Sequence, residues 1–82
     1  MLLHIGENRF VPEKSVIAIL PADQVTSENE RLIRECAESG RYYPSYGTPK
    51  SYVLCEKDGT VYIYAASTAV RTLKERISEQ AF

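Results

Sequence analysis

The segment that decides the fold is SYVLCEKDGTVYIYA, from Ser51 to Ala65, in which two runs of β-branched and aromatic residues flank Asp58 and Gly59. An Asp-Gly pair between such runs is typical of a two-residue type I′ turn. The segment therefore predicts an antiparallel hairpin, and the two-residue loop fixes its register. One face pairs Lys57 with Thr60, Cys55 with Tyr62 and Val53 with Tyr64, and the other pairs Glu56 with Val61, Leu54 with Ile63 and Tyr52 with Ala65.

Neither face of this hairpin is polar, whereas an antiparallel hairpin commonly exposes one polar face to water. Two interpretations follow from this pattern. In the first, one face contacts a second copy of the chain in a homo-oligomer. In the second, one helix packs on each face in a three-layer arrangement. The predicted oligomer interface consists of Val53, Cys55, Tyr62 and Tyr64.

Three short strands are expected before the hairpin. Residues 2–5 and 10–11 flank a turn at Gly6-Glu7-Asn8, and the β-branched run at residues 16–20 ends at Pro21. We expect these strands to belong to one sheet. Since the run at 16–20 is apolar on both faces, it predicts a central strand covered on both sides, and not an edge strand.

Two amphipathic helices are expected, at about residues 27–39 and 68–80. Ser27 and Glu30 have the spacing of a capping box, and Gly40 occupies the position of a left-handed C-terminal cap. A tyrosine-rich loop with a short extended piece at residues 42–43 connects the first helix to the hairpin. The order of elements predicts an α+β domain with a small mixed or antiparallel sheet.

The composition limits the class of protein. The 82 residues fit a single domain over residues 1–82, and the net charge of −1 lacks the basic excess of an obvious nucleic-acid binder. Any contact with DNA therefore needs a local basic patch. The opening residues do not have the pattern of a signal peptide, and no apolar run reaches the length of a membrane span. We expect a cytoplasmic protein with no membrane partner.

Residue counts argue against catalysis and against metal binding. His4 is the single histidine, and Cys36 and Cys55 have no metal-ligand or redox spacing, so we expect buried, reduced thiols and no metal or other cofactor. The loop at residues 47–51 lacks the full phosphate-loop pattern. Because no nucleophile and base can be paired, we expect neither an enzyme nor a small-molecule substrate.

Four motifs occur in order along nearly the whole chain. They are Leu3-His4-Ile5-Gly6, then Phe10-Val11 followed by Val16-Ile17-Ala18-Ile19, then Tyr46-Gly47-Thr48-Pro49-Lys50-Ser51, and then Ser67-Thr68 followed by Thr72-Leu73-Lys74. Together they resemble the RemA/RemB family of bacterial biofilm-matrix regulators, and the first and third motifs are closer to RemB-like than to RemA-like members. The resemblance implies a cytosolic regulator of matrix genes that assembles into rings and binds DNA through arginines without a helix-turn-helix.

The chain departs from the family pattern at the positions of those arginines. RemA-like proteins carry an arginine ahead of the central strand, where this sequence has Ser15, and paired arginines after Tyr-Gly, where it has Thr48 and Pro49. The nearby lysines are point charges, whereas arginine presents a planar fork to phosphate. The candidate nucleic-acid-binding residues are Arg9, Lys14, Ser15, Thr48 and Lys50.

The sequence and the resemblance together predict a DNA-associated transcriptional regulator of extracellular-matrix genes that acts as a homo-oligomer. A ring would repeat a weak local cation around its rim and so bind many phosphates at once. Its expected partners are DNA and further copies of itself. The alternative is an oligomeric protein that binds no DNA and acts as an interaction partner of a RemA-like regulator.

Overall fold

The computed structural model describes residues 1–80 and has the predicted α+β architecture, with two helices and two sheets. In chain order the elements are β1 (Leu2–Gly6), β2 (Arg9–Pro12), a short 3-10 turn (Glu13–Ser15), β3 (Val16–Pro21), α1 (Ser27–Glu38), β4 (Tyr42–Tyr43), β5 (Ser51–Lys57), β6 (Thr60–Ala66) and α2 (Val70–Gln80). The four-stranded sheet has the order β3-β5-β6-β4 and is mixed, because β4 runs parallel to β6 and the other pairs are antiparallel.

The predicted hairpin is confirmed over its full length. All six predicted pairs are present in the register of β5 and β6, which extends by one more pair from Ser51 to Ala66. The turn residues Asp58 and Gly59 have φ angles of 53° and 79°. A type I′ turn needs positive φ at both positions, and these two residues accept it at low cost.

The expectation that the first three strands share one sheet with the hairpin is wrong. β1 and β2 form a separate two-stranded sheet that crosses one face of the larger sheet. The crossing requires a close approach at Gly6, whose φ is 110° and where an added Cβ would lie 2.8 Å from the Thr68 hydroxyl oxygen. A residue with a side chain would not fit there, and this packing cannot be read from strand propensity.

The prediction that residues 16–20 form a central strand is also wrong. β3 pairs with β5 on one side and forms the edge of the four-stranded sheet. The reason is the departure of β1 and β2, which leaves no strand within residues 1–80 to pair with the outer side of β3. The strand also contains a bulge between Val16 and Ala18, and the intervening Ile17 is 55% exposed.

Each face of the larger sheet has its own apolar core, as the three-layer interpretation expects. On one face β1, β2 and α2 pack on the hairpin, and on the other face α1 does so. The first core is built from Leu3, Ile5, Val11, Val53, Cys55, Ala66 and Leu73, and the second from Cys36, Leu54 and Ile63. As predicted, both cysteines are buried free thiols.

The first helix begins at residue 27 as predicted, and the second begins two residues later than predicted, at Val70. The N-cap of α1 is Thr26, whose hydroxyl accepts a hydrogen bond from the Asn29 amide at 3.2 Å, so the predicted capping box at Ser27 and Glu30 is wrong by one residue. Gly40 has the expected left-handed conformation, with φ of 73°. Neither α1 nor α2, within the described part of the chain, is long and apolar enough to cross a membrane.

Candidate interaction surface

Arg9 ties the end of β4 to β6. Its guanidinium donates to the carbonyl oxygens of Tyr43 and Ala65, at 3.3 Å each, and to that of Pro44. The Tyr43 ring stacks on Tyr64 with a centroid distance of 4.7 Å. Arg9 was a candidate phosphate contact, but its donors are directed at the backbone of its own subunit. An arginine with three carbonyl partners has few donors left for an external anion.

Two further arginines also bind backbone carbonyls. Arg41 donates to the Val61 oxygen at 2.7 Å and contacts the Cys36 sulfur at 3.6 Å. Arg76 donates to the His4 oxygen at 2.7 Å, which ties α2 to β1. These bonds join elements far apart in the sequence, so the role of the three arginines in this subunit is structural. Composition alone does not reveal this role.

A groove runs across the sheet on the face covered by β1 and β2. Its volume is about 470 Å³, and it is lined by Pro12, Ser15, Tyr43, Cys55, Glu56, Lys57, Tyr62 and Tyr64. We call it the tyrosine groove. It lies beyond the part of the face that the first core covers, so the side chains of Tyr62 and Tyr64 stay partly exposed.

The predicted oligomer interface is divided between the core and this groove. Val53 is fully buried inside the subunit, and Cys55 is 5% exposed at the floor of the groove. Burial raises the pKa of the Cys55 thiol, and a hydrogen bond with the Ser15 side chain opposes that shift. Burial also raises the pKa of Tyr64, with Arg9 acting in the opposite direction. Tyr62 and Tyr64 therefore retain surface for a partner, whereas Val53 has none to offer.

The candidate cations lie at opposite ends of the β3–β5 pair. Lys14 precedes β3, and Lys50 precedes β5. The Lys50 carbonyl oxygen accepts a hydrogen bond from the amide of Ala22, the residue that follows β3. Because β3 and β5 are antiparallel, the two lysines flank opposite ends of this strand pair. At a rise of about 3.4 Å per residue, their backbones are separated by about 15 Å or more. The structure of one subunit therefore does not bring them together.

The other two candidate residues lie apart from each other as well. The Ser15 hydroxyl donates to the Pro12 oxygen at 2.7 Å, close to the tyrosine groove. Thr48 is exposed in the loop before β5. Thus Ser15 lies at the Lys14 end of the sheet, and Thr48 lies at the Lys50 end.

Lys50 is held beside the start of α2. Its amide donates to the Ala66 oxygen at 2.8 Å, and the buried Ser51 hydroxyl donates to the Thr68 oxygen at 2.7 Å. As a result Lys50 shares a shallow depression with Ala69 and Val70, the residues where the helix begins, and with Asp23. The N-terminal end of a helix is partially positive, which adds to the potential of the ammonium group. The sequence places Lys50 and Val70 twenty positions apart and carries no signal for this juxtaposition.

The described side chains contain no group of three His, Cys, Asp or Glu residues that could hold a metal ion. A comparison of the sequence with models of known protein families finds no match, and a comparison with curated proteins finds no similar chain.

Proposed function

We propose that this chain is a non-enzymatic, self-assembling regulator of the RemA/RemB type that binds the DNA backbone through cations repeated over the assembly. The four motifs support the family. The observation that carries the DNA contact is the position of Lys50, an exposed ammonium-bearing residue at the positive end of α2. Among the described side chains, no carboxylate lies within salt-bridge distance of Lys50.

Assembly is essential to this proposal. One lysine per subunit in a chain of net charge −1 would bind phosphate weakly. Several copies held together present several such lysines to one duplex, and the effective concentration of the second and later contacts is then high. DNA affinity is therefore expected to depend on the oligomeric state and to fall steeply with salt.

A second function is favoured by the arginines. Arg9, Arg41 and Arg76, three of the six arginines, are bound to carbonyl oxygens of their own chain, so they have fewer donors left for a bidentate phosphate contact. In this second function the chain is an oligomeric partner of another regulator and binds no DNA. The exposed tyrosine surfaces of the groove would then contact protein.

A salt titration of duplex DNA binding separates the two functions. For the wild-type oligomer, log affinity should fall linearly with log salt, at about −0.9 per phosphate neutralised. Lys50→Glu should lower affinity at least about tenfold, because every subunit loses its cation at once. Lys74→Glu is the matched control, since Lys74 is exposed in the middle of α2 and the charge change is the same.

The control should bind nearly as tightly as the wild type. If both variants lose affinity equally, binding follows net charge and the assignment to Lys50 is wrong. If the wild-type oligomer does not bind duplex DNA even at low salt, the protein-partner function replaces the DNA-associated one.

A further inference from the structure

The outer edge of β3 has protecting features only towards its ends, a bulge between Val16 and Ala18 and the proline at position 21, and the stretch 18–20 between them has neither a charge nor a proline. Native sheets prevent unwanted pairing by keeping edge strands short or by placing charges and prolines along them. β3 has six residues, VIAILP, of which none is charged and only the last is a proline. Six residues is the ordinary length of a strand that has neighbours.

The burial of β3 is also incomplete in the subunit. Every residue of the strand belongs to the described part of the chain, and none is buried; Ile17 is 55% exposed. The strand nevertheless has the apolar pattern of a central strand on both faces. The pattern and the structure agree if another strand lies beside β3 in the assembled protein.

The backbone at this edge is suited to pairing. The Ala22 amide donates to the Lys50 oxygen, so residue 22 faces β5. Alternation along an antiparallel pair then places the Ile19 amide and carbonyl on the outer side. No other strand within residues 1–80 pairs with that side. Pro21 has no amide hydrogen, so pairing centred near Ile19 uses the part of the strand that can donate.

The charges at the two ends of the strand favour an antiparallel arrangement. The exposed Lys14 precedes β3, and the exposed Asp23 follows it. When two copies pair antiparallel, Lys14 of each lies beside Asp23 of the other, whereas parallel pairing would bring like charges together. No ion pair joins either residue to another side chain in the described structure.

We infer that two copies of this chain pair through the outer edges of their β3 strands, antiparallel and about a two-fold axis. The inference rests on the proposed function in that it names the surface through which the regulator assembles. The two four-stranded sheets then form one continuous sheet. Because the contact is isologous, the same residues contribute from both subunits.

This pairing also brings the separated lysines together. Lys14 of one subunit then lies at the same end of the sheet as Lys50 of the other. The two residues are separated across the sheet by two strand spacings, or about 10 Å. Asp23 lies between them and leaves a net positive charge. The basic site that one subunit lacks is thereby formed from two, and it occurs twice in each pair.

The test compares two lysine substitutions at equally exposed apolar positions. Ile17 is 55% exposed on the β3 edge, and Phe10 is 56% exposed on the outer face of the β1–β2 sheet. Ile17→Lys should raise the dissociation constant of the oligomer at least about tenfold, because it places a charged side chain among the apolar side chains of the adjoining strand at two symmetry-related positions. Phe10→Lys carries the same charge on a surface outside the contact and should leave the oligomer intact.

Light scattering gives the oligomeric state, circular dichroism confirms folding, and Ile17→Asp repeats the test with the opposite charge. Ile17→Lys should also lose DNA affinity although it adds a positive charge.

If the Ile17 variants stay associated while Phe10→Lys dissociates, the β3 contact is overturned and self-assembly still holds. A monomeric wild type overturns the proposed assembly and the β3 contact with it. A β3-dependent dimer that does not bind DNA retains the contact and overturns only the DNA function.

Discussion

The two edges of the four-stranded sheet are constructed in opposite ways. At one edge β4 has two residues and is followed by Pro44. The Arg9 guanidinium donates hydrogen bonds to the carbonyl oxygens of Tyr43 and Pro44 at the end of this strand. At the other edge β3 has six apolar residues and no covering strand within the described chain. One edge thus offers only two residues for pairing, whereas the other offers an uncharged stretch at residues 18–20 between a bulge and a terminal proline. This difference is the basis of the proposal that a second copy pairs with the β3 edge.

This asymmetry also limits the kind of assembly. Head-to-tail pairing of β3 with β4 would have only the two residues of β4 to pair with, whereas β3 with β3 offers six residues on each side. Edge pairing alone therefore gives a closed two-fold pair. A ring of the RemA type would need a second contact, for which the tyrosine groove offers Tyr62 and Tyr64.

The largest expected effect in this comparison comes from removing the Arg9 side chain at the β4 edge. Arg9→Ala removes the donors to three carbonyl oxygens, one of them partly buried, and should lower the free energy of unfolding by about 2–3 kcal/mol. Chemical denaturation measures it. Arg71→Ala is the control, because Arg71 is exposed and pairs only with Glu75 on the same helix, so its loss should change stability little. Equal effects would show that Arg9 does not hold the β4 edge.

A smaller effect is expected from the tyrosine stack at the same edge. Tyr43 is 39% exposed and stacks on Tyr64, whereas Tyr46 is 90% exposed in the following loop. Tyr43→Ala should lower the free energy of unfolding by about 1 kcal/mol, and Tyr46→Ala should leave it nearly unchanged. The two variants remove the same side chain, so a denaturation series compares them directly. A loss of stability in Tyr46→Ala as large as in Tyr43→Ala would contradict the stack's role.

The smallest effect is expected at the open edge, from the charges that flank β3. Lys14→Glu and Asp23→Lys should each weaken the dimer by about 2–4-fold, because two-fold symmetry repeats one exposed ion pair twice. The double variant restores opposite charges and should recover most of the affinity. Sedimentation measures all three dissociation constants. Additive losses in the double variant would mean that Lys14 and Asp23 do not meet.

The sequence predicted the elements whose signals are local. Asp58 and Gly59 determine the turn, and the turn determines every pair of the hairpin. The role of Arg9 could not be predicted, since its carbonyl partners lie 34 to 56 positions away. The neighbours of Lys50 at the start of α2 depend likewise on tertiary packing.

The error at β3 has a different origin. An apolar run on both faces predicts a strand that is covered on both sides, but it does not say whether neighbouring strands lie on both of its edges. The sequence predicted a central strand, and the subunit has an edge strand. The departure of β1 and β2 from the sheet, which makes β3 an edge, depends on the close contact between Gly6 and Thr68.

Amide hydrogen exchange along β3, followed as a function of protein concentration, tests the β3 contact most directly. The Ile19 amide, on the outer side of the strand, should exchange quickly in dilute protein and become protected as the pair forms. The amide of Leu20 faces β5 and should be protected at every concentration, which provides an internal control. If Ile19 exchanges quickly even where light scattering shows a stable oligomer, the β3 edge is free and the contact between copies lies elsewhere.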